Sequence, residues 1–246
     1  MFPAKYLIVN ADDFNLTRGT DRAILECHDR GIVSSTTVLV TLPFSAQTAQ
    51  QLKSRPFLGK GIHLSLTLGT AVNSKTSFRL TRDLLKKIQK IPAEEARGEY
   101  EAQILKFRKI LGELPSHMDT HHHIQTSPNI VTAVKRLSVK YRIPFRGCTH
   151  HLFEDLDPSN HWTREKFTRV IKKLPAGISE IMVHPGYADR DLRAISSFQN
   201  GREVERKILS DATLRSLLDQ LNIKLISFRD LAYFSSLYEK TSHSRH

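Results

Sequence analysis

Tyr6-Leu7-Ile8-Val9-Asn10-Ala11-Asp12-Asp13-Phe14 is the stretch on which the fold turns. Its first half is a short apolar, β-branched run with no polar residue alternating against it, the pattern of a strand buried on both faces of a parallel sheet. After Asn10 it becomes polar and presents two adjacent carboxylates. Neighbouring carboxylates repel, so keeping both requires a cation or a raised pKa on one of them. Taken alone, such a pair reads as a solvated loop or a helix cap. Its place at the end of the first strand gives it weight, because α/β folds collect their chemistry at the C-terminal ends of their strands.

Working outward, strands are expected at Tyr6–Asn10, Ile32–Leu42, Gly59–Leu66, Pro115–Thr120, near Ile143–Arg146, at Ser179–Val183 and at Lys224–Phe228. Helices are expected over Thr20–Arg30, with Gly31 as its stop signal, and over Ser45–Ser54, Glu94–Leu111, Pro128–Tyr141, Thr163–Leu174 and Arg202–Leu221. This near-regular alternation of strand and helix implies a parallel sheet of about seven strands, either a barrel or doubly wound. Ala71–Arg82 reads as a polar loop and Thr241–His246 as a disordered tail. With no internal repeat or linker, residues 1–240 are expected to form one domain.

The 246 residues, 39% hydrophobic and 25% charged, suit one α/β barrel. The net charge of +12 raises the question of an anionic partner. Most basic residues are interspersed with acids. Pro128–Arg146 is the exception, carrying Lys135, Arg136, Lys140, Arg142 and Arg146 with no acid, and it reads as the solvated face of a basic helix. No nucleic-acid-binding motif accompanies the charge. Cys27 and Cys148 lack metal-type spacing, and neither a signal peptide nor a bilayer-length apolar run is evident, so a soluble cytoplasmic protein is expected, with no membrane partner.

Three further motifs fall at strand ends. His63 lies in the apolar Gly61-Ile62-His63-Leu64, where a lone histidine reads as a core residue. His117-Met118-Asp119-Thr120-His121-His122-His123 places five ionisable side chains in seven residues, which packing alone does not explain. If that run is extended, Asp119, His121 and His123 share one face and His122 takes the other. In His184-Pro185-Gly186-Tyr187 the Pro-Gly turn aims His184 into the mouth of the sheet, where an imidazole can act as an acid near neutral pH. One carboxylate and two imidazoles would leave open positions on a divalent metal, as a catalytic site needs.

Together NADDF (10–14), GIHL (61–64), HMDTHHHI (117–124) and HPGY (184–187) resemble, in order and spacing, the motifs of the YdjC-like carbohydrate deacetylases, a family that includes chitooligosaccharide deacetylases and a hopanoid-associated branch. The resemblance spans nearly the whole chain and implies an α/β single-domain distorted (β/α) barrel, TIM-barrel-like, acting on an N-acetylated mono- or oligosaccharide. It implies a divalent metal held by Asp13, His63 and His121, with His123 as the alternative, Asp12 as general base and His184 as general acid. Arg202, in GREVE, and Tyr187 would contact substrate, a helix-surface salt bridge being the plainer reading of Arg202. Magnesium is the metal the family suggests and zinc the one two imidazoles suit; a homodimer is also implied. Asn15 stands where the family has Gly, and Asn is the side chain that best tolerates left-handed backbone there. Ala71–Glu94 is shorter than the hopanoid-associated branch would have it, which leans toward the chitooligosaccharide side. The competing readings are a metal-dependent phosphoesterase or amidohydrolase, a nucleic-acid-binding protein and a metal-binding pseudoenzyme.

Overall fold

The computed structural model describes residues 4–154 and 161–234; the expected tail at 241–246 lies outside them. In chain order the elements are β1 (Lys5–Phe14), α1 (Arg18–Arg30), β2 (Ser35–Val38), α2 (Ala46–Lys53), β3 (Gly59–Leu64), α3 (Ala93–Leu111), β4 (Met118–Thr120), α4 (Pro128–Tyr141), β5 (His151–Phe153), α5 (Arg164–Lys172), β6 (Gly177–Val183), α6 (Arg190–Ile195), α7 (Asn200–Leu209), α8 (Ala212–Gln220) and β7 (Ile223–Leu225). Seven strands alternating with helices among the described residues are the α/β arrangement expected of a distorted (β/α) barrel. None of the described helices is long and apolar enough to cross a membrane.

Two compact units divide the chain. Of the described residues, the first holds those up to Thr36, Phe57–Gly59 and those from Gly147 on; the second holds Thr37–Pro56 and Lys60–Arg146. In the first unit β1 is the axis. β6 pairs with it in parallel from Lys5 to Ala11, and β5 extends that side by pairing with β6. The carbonyls of Leu7 and Val9 point to the opposite edge. There Ile226 N–H, just after β7, donates to the Leu7 carbonyl at 2.9 Å, and Ser34 N–H, just before β2, donates to the Val9 carbonyl at 3.0 Å. Leu7, Ile8, Val9, Ala11 and Phe14 are fully buried, each large side chain stabilising the fold by about 1.5–3 kcal/mol. In the second unit the strand order is β4-β3-β2, with His63 of β3 in register with Asp119 of β4.

The expected α4 matches, with Pro128 at its start and left-handed Arg142 ending it. Its acid-free basic run finds acids on α3, where Arg136 pairs with Glu94 and Lys140 with Glu101. These exposed pairs contribute about 0–1 kcal/mol each. The polar loop after Gly69 is tied to α3 by the buried Glu99 carboxylate, which accepts the Val72 and Asn73 N–H groups at 3.0 Å and the Thr76 hydroxyl at 2.8 Å. Gln103 brackets Ser65 with two hydrogen bonds, 3.0 and 2.7 Å, continuing the order of β3 past its last residue.

Four expectations differ from the structure for identifiable reasons. β1 does not stop at Asn10 but runs through Phe14, because its polar side chains are partnered inside the protein. Residues 143–146 make a single bridge between Met118 and Phe145; Pro144 has no N–H to donate to a ladder. The strand beside β6 is instead His151–Phe153, too short to stand out in the sequence. The helix expected over 202–221 is two, because Asp211 accepts from Thr213 N–H at 2.8 Å and starts a new one.

Gly31 ends α1 where the chain meets the end of α7. A Cβ there would lie 1.8 Å from the Leu209 carbonyl oxygen, which accepts the next N–H, from Ile32, at 3.2 Å. Backbone cannot yield as a flexible side chain does. Gly31→Ala should therefore lower stability by roughly 2–4 kcal/mol, measured by urea unfolding; an unchanged midpoint would show that the two segments part freely.

Candidate active site

In the first unit, the β1–β6 register sets Ala11 against Val183, so the next residues along each strand, Asp12 and His184, emerge side by side. Asp12 is buried; its Oδ1 accepts from Asn10 Nδ2 at 2.9 Å and its Oδ2 lies 3.8 Å from His184 Nε2. His184 is held by its backbone, whose N–H donates to the buried Glu205 carboxylate at 2.6 Å, while its ring is partly open to solvent and meets Phe198 edge-on. A carboxylate and an imidazole this close can exchange protons with a small polar group within hydrogen-bond reach of both.

Asp13 adopts a left-handed backbone, φ 71°, costly for a residue with a Cβ and tolerated where the surroundings fix it. Here Leu16 N–H closes a turn on its carbonyl at 3.0 Å, and Arg202 donates to its Oδ2 at 2.6 Å. Arg202 is itself buried and anchored by Nε on the Phe198 carbonyl. Asn15 has φ 73°, the left-handed geometry that its place in the motif anticipates. Tyr187 stands apart from Asp12 and Asp13 in its bonding. Its hydroxyl donates to Glu26 at 2.5 Å and its ring is sandwiched by the guanidinium groups of Arg22 and Arg206.

In the second unit, His63 and Asp119 face each other across the β3–β4 pair. His63 Nδ1 lies 2.6 Å from Asp119 Oδ1. Asp119 Oδ2 accepts from Arg146 at 2.8 Å and from the Thr37 hydroxyl at 2.9 Å. The other nitrogen of His63, Nε2, is 3.2 Å from His121 Nδ1. The histidine run is not extended. β4 ends at Thr120 and His121–Thr126 forms a 3₁₀ turn with left-handed His122 and His123 at φ 62° and 51°, so the shared face expected for Asp119, His121 and His123 does not exist. His122 instead turns to the Thr67 hydroxyl, 2.9 Å away. Gly61 is required on β3 because the His117 ring occupies the space of its Cβ.

The donor set fits a divalent metal. An ionised Asp119 only accepts, so it holds the proton on His63 Nδ1 and leaves Nε2 as a lone-pair donor, the carboxylate–histidine arrangement that supports metal-binding imidazoles. Two nitrogens about 2.1 Å from a common ion, at tetrahedral or octahedral angles, lie roughly 3.0–3.4 Å apart, and the His63–His121 distance of 3.2 Å falls in that range. In the first unit, the Arg202 contact occupies one of about four lone-pair positions of the Asp13 carboxylate.

Residues 6–220 match the family model described as YdjC-like protein. The chain belongs to the YdjC-like family. This YdjC-like protein is 39% identical over 225 residues to a carbohydrate deacetylase of Halalkalibacterium halodurans, covering 83% of this chain and 94% of that protein. It is 30% identical over 252 residues to a chitooligosaccharide deacetylase of Proteus mirabilis, covering 93% and 99%. Among solved structures, an Enterococcus faecalis V583 protein proposed to be a cellobiose-phosphate cleavage protein shares the fold with a TM-score of 0.80 at 25% identity, covering 93% of this chain and 99% of that one.

Sequence reasoning singled out Asp12, Asp13, His63, His121, His184 and Arg202, and missed what holds them: Asn10, Thr37, Arg146 and Glu205. One further buried acid shapes the loop behind Asp13. Asp21, in the first turn of α1, accepts the Asn15 N–H at 2.5 Å. Burial pushes its carboxyl from 3.8 up to about 7, with the Asn15 hydrogen bond pulling the other way. The folded chain therefore holds a proton here that the unfolded chain has already lost between about pH 4 and 7, and stability falls as pH rises through that window. Asp21→Asn, which keeps an acceptor for Asn15, should flatten that slope and leave the variant more stable at pH 8 by ~1–4 kcal/mol. Parallel stability curves for the two proteins in urea at pH 4.5, 6 and 8 would refute the assignment.

Proposed function

We propose that this YdjC-like protein is a metal-dependent carbohydrate deacetylase that hydrolyses the N-acetyl group of acetylated sugars, chitooligosaccharides foremost. The observation that carries the reading is the facing of Asp12 and His184, one group able to take a proton and one able to give it, at the ends of β1 and β6. The names of the relatives supply the substrate class.

In this reading Asp13, His63 and His121 hold the metal, with His123 the alternative to His121. When bound, the ion lowers the pKa of water and polarises the acetamide carbonyl. Asp12 accepts the proton of the attacking water, and its bond from Asn10 keeps the carboxylate aimed. His184 donates a proton to the departing sugar nitrogen, so that acetate and a free amine leave. Arg202 acts on substrate indirectly, by fixing Asp13, and Tyr187 is the residue assigned to substrate contact. Two imidazoles favour zinc or a similar transition ion over magnesium by ligand softness.

Phosphoester hydrolysis through two metals fits less well, because such centres need several carboxylates and Asp119 is engaged with His63, Thr37 and Arg146. Nucleic-acid binding is disfavoured by the pairing of Arg136 and Lys140 with α3 acids.

The test is acetate release from diacetylchitobiose and longer N-acetylglucosamine oligomers by metal-stripped protein, with magnesium, zinc, cobalt or nickel added back. Release should require metal and vanish in Asp13→Ala. Asp12→Asn should lower kcat by about 10²–10⁴-fold while calorimetry shows metal binding retained. Full turnover in Asp12→Asn would remove it as the base, and no release with any metal would move the search to other acylated or phosphorylated substrates.

A further inference from the structure

The acid-free segment that ends at Arg146 reads in the sequence as a solvated basic face, yet its last residue is only 4% exposed. Arg146 N–H donates to the Met118 carbonyl at 2.8 Å, which clips its backbone beside β4 next to Asp119. Its guanidinium then reaches Asp119 Oδ2 at 2.8 Å, where the Thr37 hydroxyl also donates. Two donors converging on Oδ2 fix the carboxylate plane, and Oδ1 is left to face His63 Nδ1 at 2.6 Å.

We infer that Arg146 is a positioning residue that, by anchoring Asp119, sets the tautomer of His63 and so presents its Nε2 as a metal donor. The inference rests on the proposed metal reading for its purpose, not for its geometry. A neutral imidazole has two tautomers, and one with hydrogen on Nε2 would put a proton where the metal needs a lone pair. The acceptor-only Oδ1 selects the Nδ1–H form. Without Arg146 the carboxylate loses its charged donor on Oδ2, keeps the weaker Thr37 hydroxyl there and can rotate, and the ring can turn toward the wrong form. A lysine would supply the charge but only a single-point donor on a different stem, so it restores the anchor in part. The sequence hides this role because Arg146 is 27 positions from Asp119 and surrounded by surface cations.

The experiment uses the full chain with ¹⁵N-labelled histidine, free of metal, and long-range ¹H–¹⁵N correlations to read the His63 tautomer in wild type, Arg146→Met, Arg146→Gln and Arg146→Lys. Zinc and cobalt affinities by calorimetry and thermal melting accompany it. Wild type should show His63 with hydrogen on Nδ1. Arg146→Met and Arg146→Gln should show a mixture and bind metal about 10–100-fold more weakly, with Arg146→Lys between. If Arg146→Met does not fold, Arg146→Gln carries the comparison. A lower melting temperature with tautomer and affinity both unchanged would make Arg146 a structural clip for residues 143–146 and overturn the inference. Tautomer loss in the variants of a wild-type chain that binds no metal would sink the metal reading while upholding Arg146 as the residue that sets His63.

Discussion

A carboxylate taken out of water has to be met by donors or give up its charge. That constraint organises both units. Asp13 sits at the end of a strand whose other side chains are core, and it can do so because Arg202 comes in from α7 to meet it. Asp119, in the middle of β4, is in the same situation, met by Arg146, Thr37 and His63. Each pair is buried on both sides, the setting in which removing one partner costs about 3–5 kcal/mol. The polar tail of β1 remains strand because its polar groups are bonded internally. Were they solvated, as the sequence alone suggests, the strand would end at Asn10.

Most of the fold was legible because it is written in burial. Leu7 to Val9 reads as a two-faced strand and is one; Pro128–Tyr141 carries both a start signal and a periodic face and is a helix to the residue. What escaped depends on single atoms. Pro144 cancels one strand by lacking a hydrogen, and Asp211 splits one helix by offering an oxygen. His151–Phe153 joins the sheet through its backbone, with half-exposed side chains that carry no pattern.

The candidate site divides the same way. Asp12, Asp13 and His63 each read alone as a loop, cap or core residue, and with His184 they stand out only together, as Asp and His residues that all fall at the ends of apolar strands. Their supports do not stand out, since Thr37 hides in a Val/Thr-rich strand, Arg146 in a basic run and Glu205 in a helix of alternating charge. The histidine run misled through its backbone. Extended geometry gives alternating faces, whereas left-handed turns at His122 and His123 point each ring by its own torsions, which no side-chain pattern encodes.

The supports also set two adjacent aspartates in different surroundings. Asp13 is held by a guanidinium at 2.6 Å on a strained, left-handed backbone, an arrangement that fixes its position. Asp12 receives a neutral amide from Asn10 and looks toward an imidazole 3.8 Å away. A neutral donor orients a carboxylate without holding its charge as a cation does, so the two carboxylates are fixed in different ways. Adjacent residues of one strand point to opposite sides, and the left-handed turn at Asp13 breaks that alternation at the second aspartate. The environments, with Arg202 on one carboxylate and Asn10 on the other, differ as the proposed division between holding a metal and moving a proton requires.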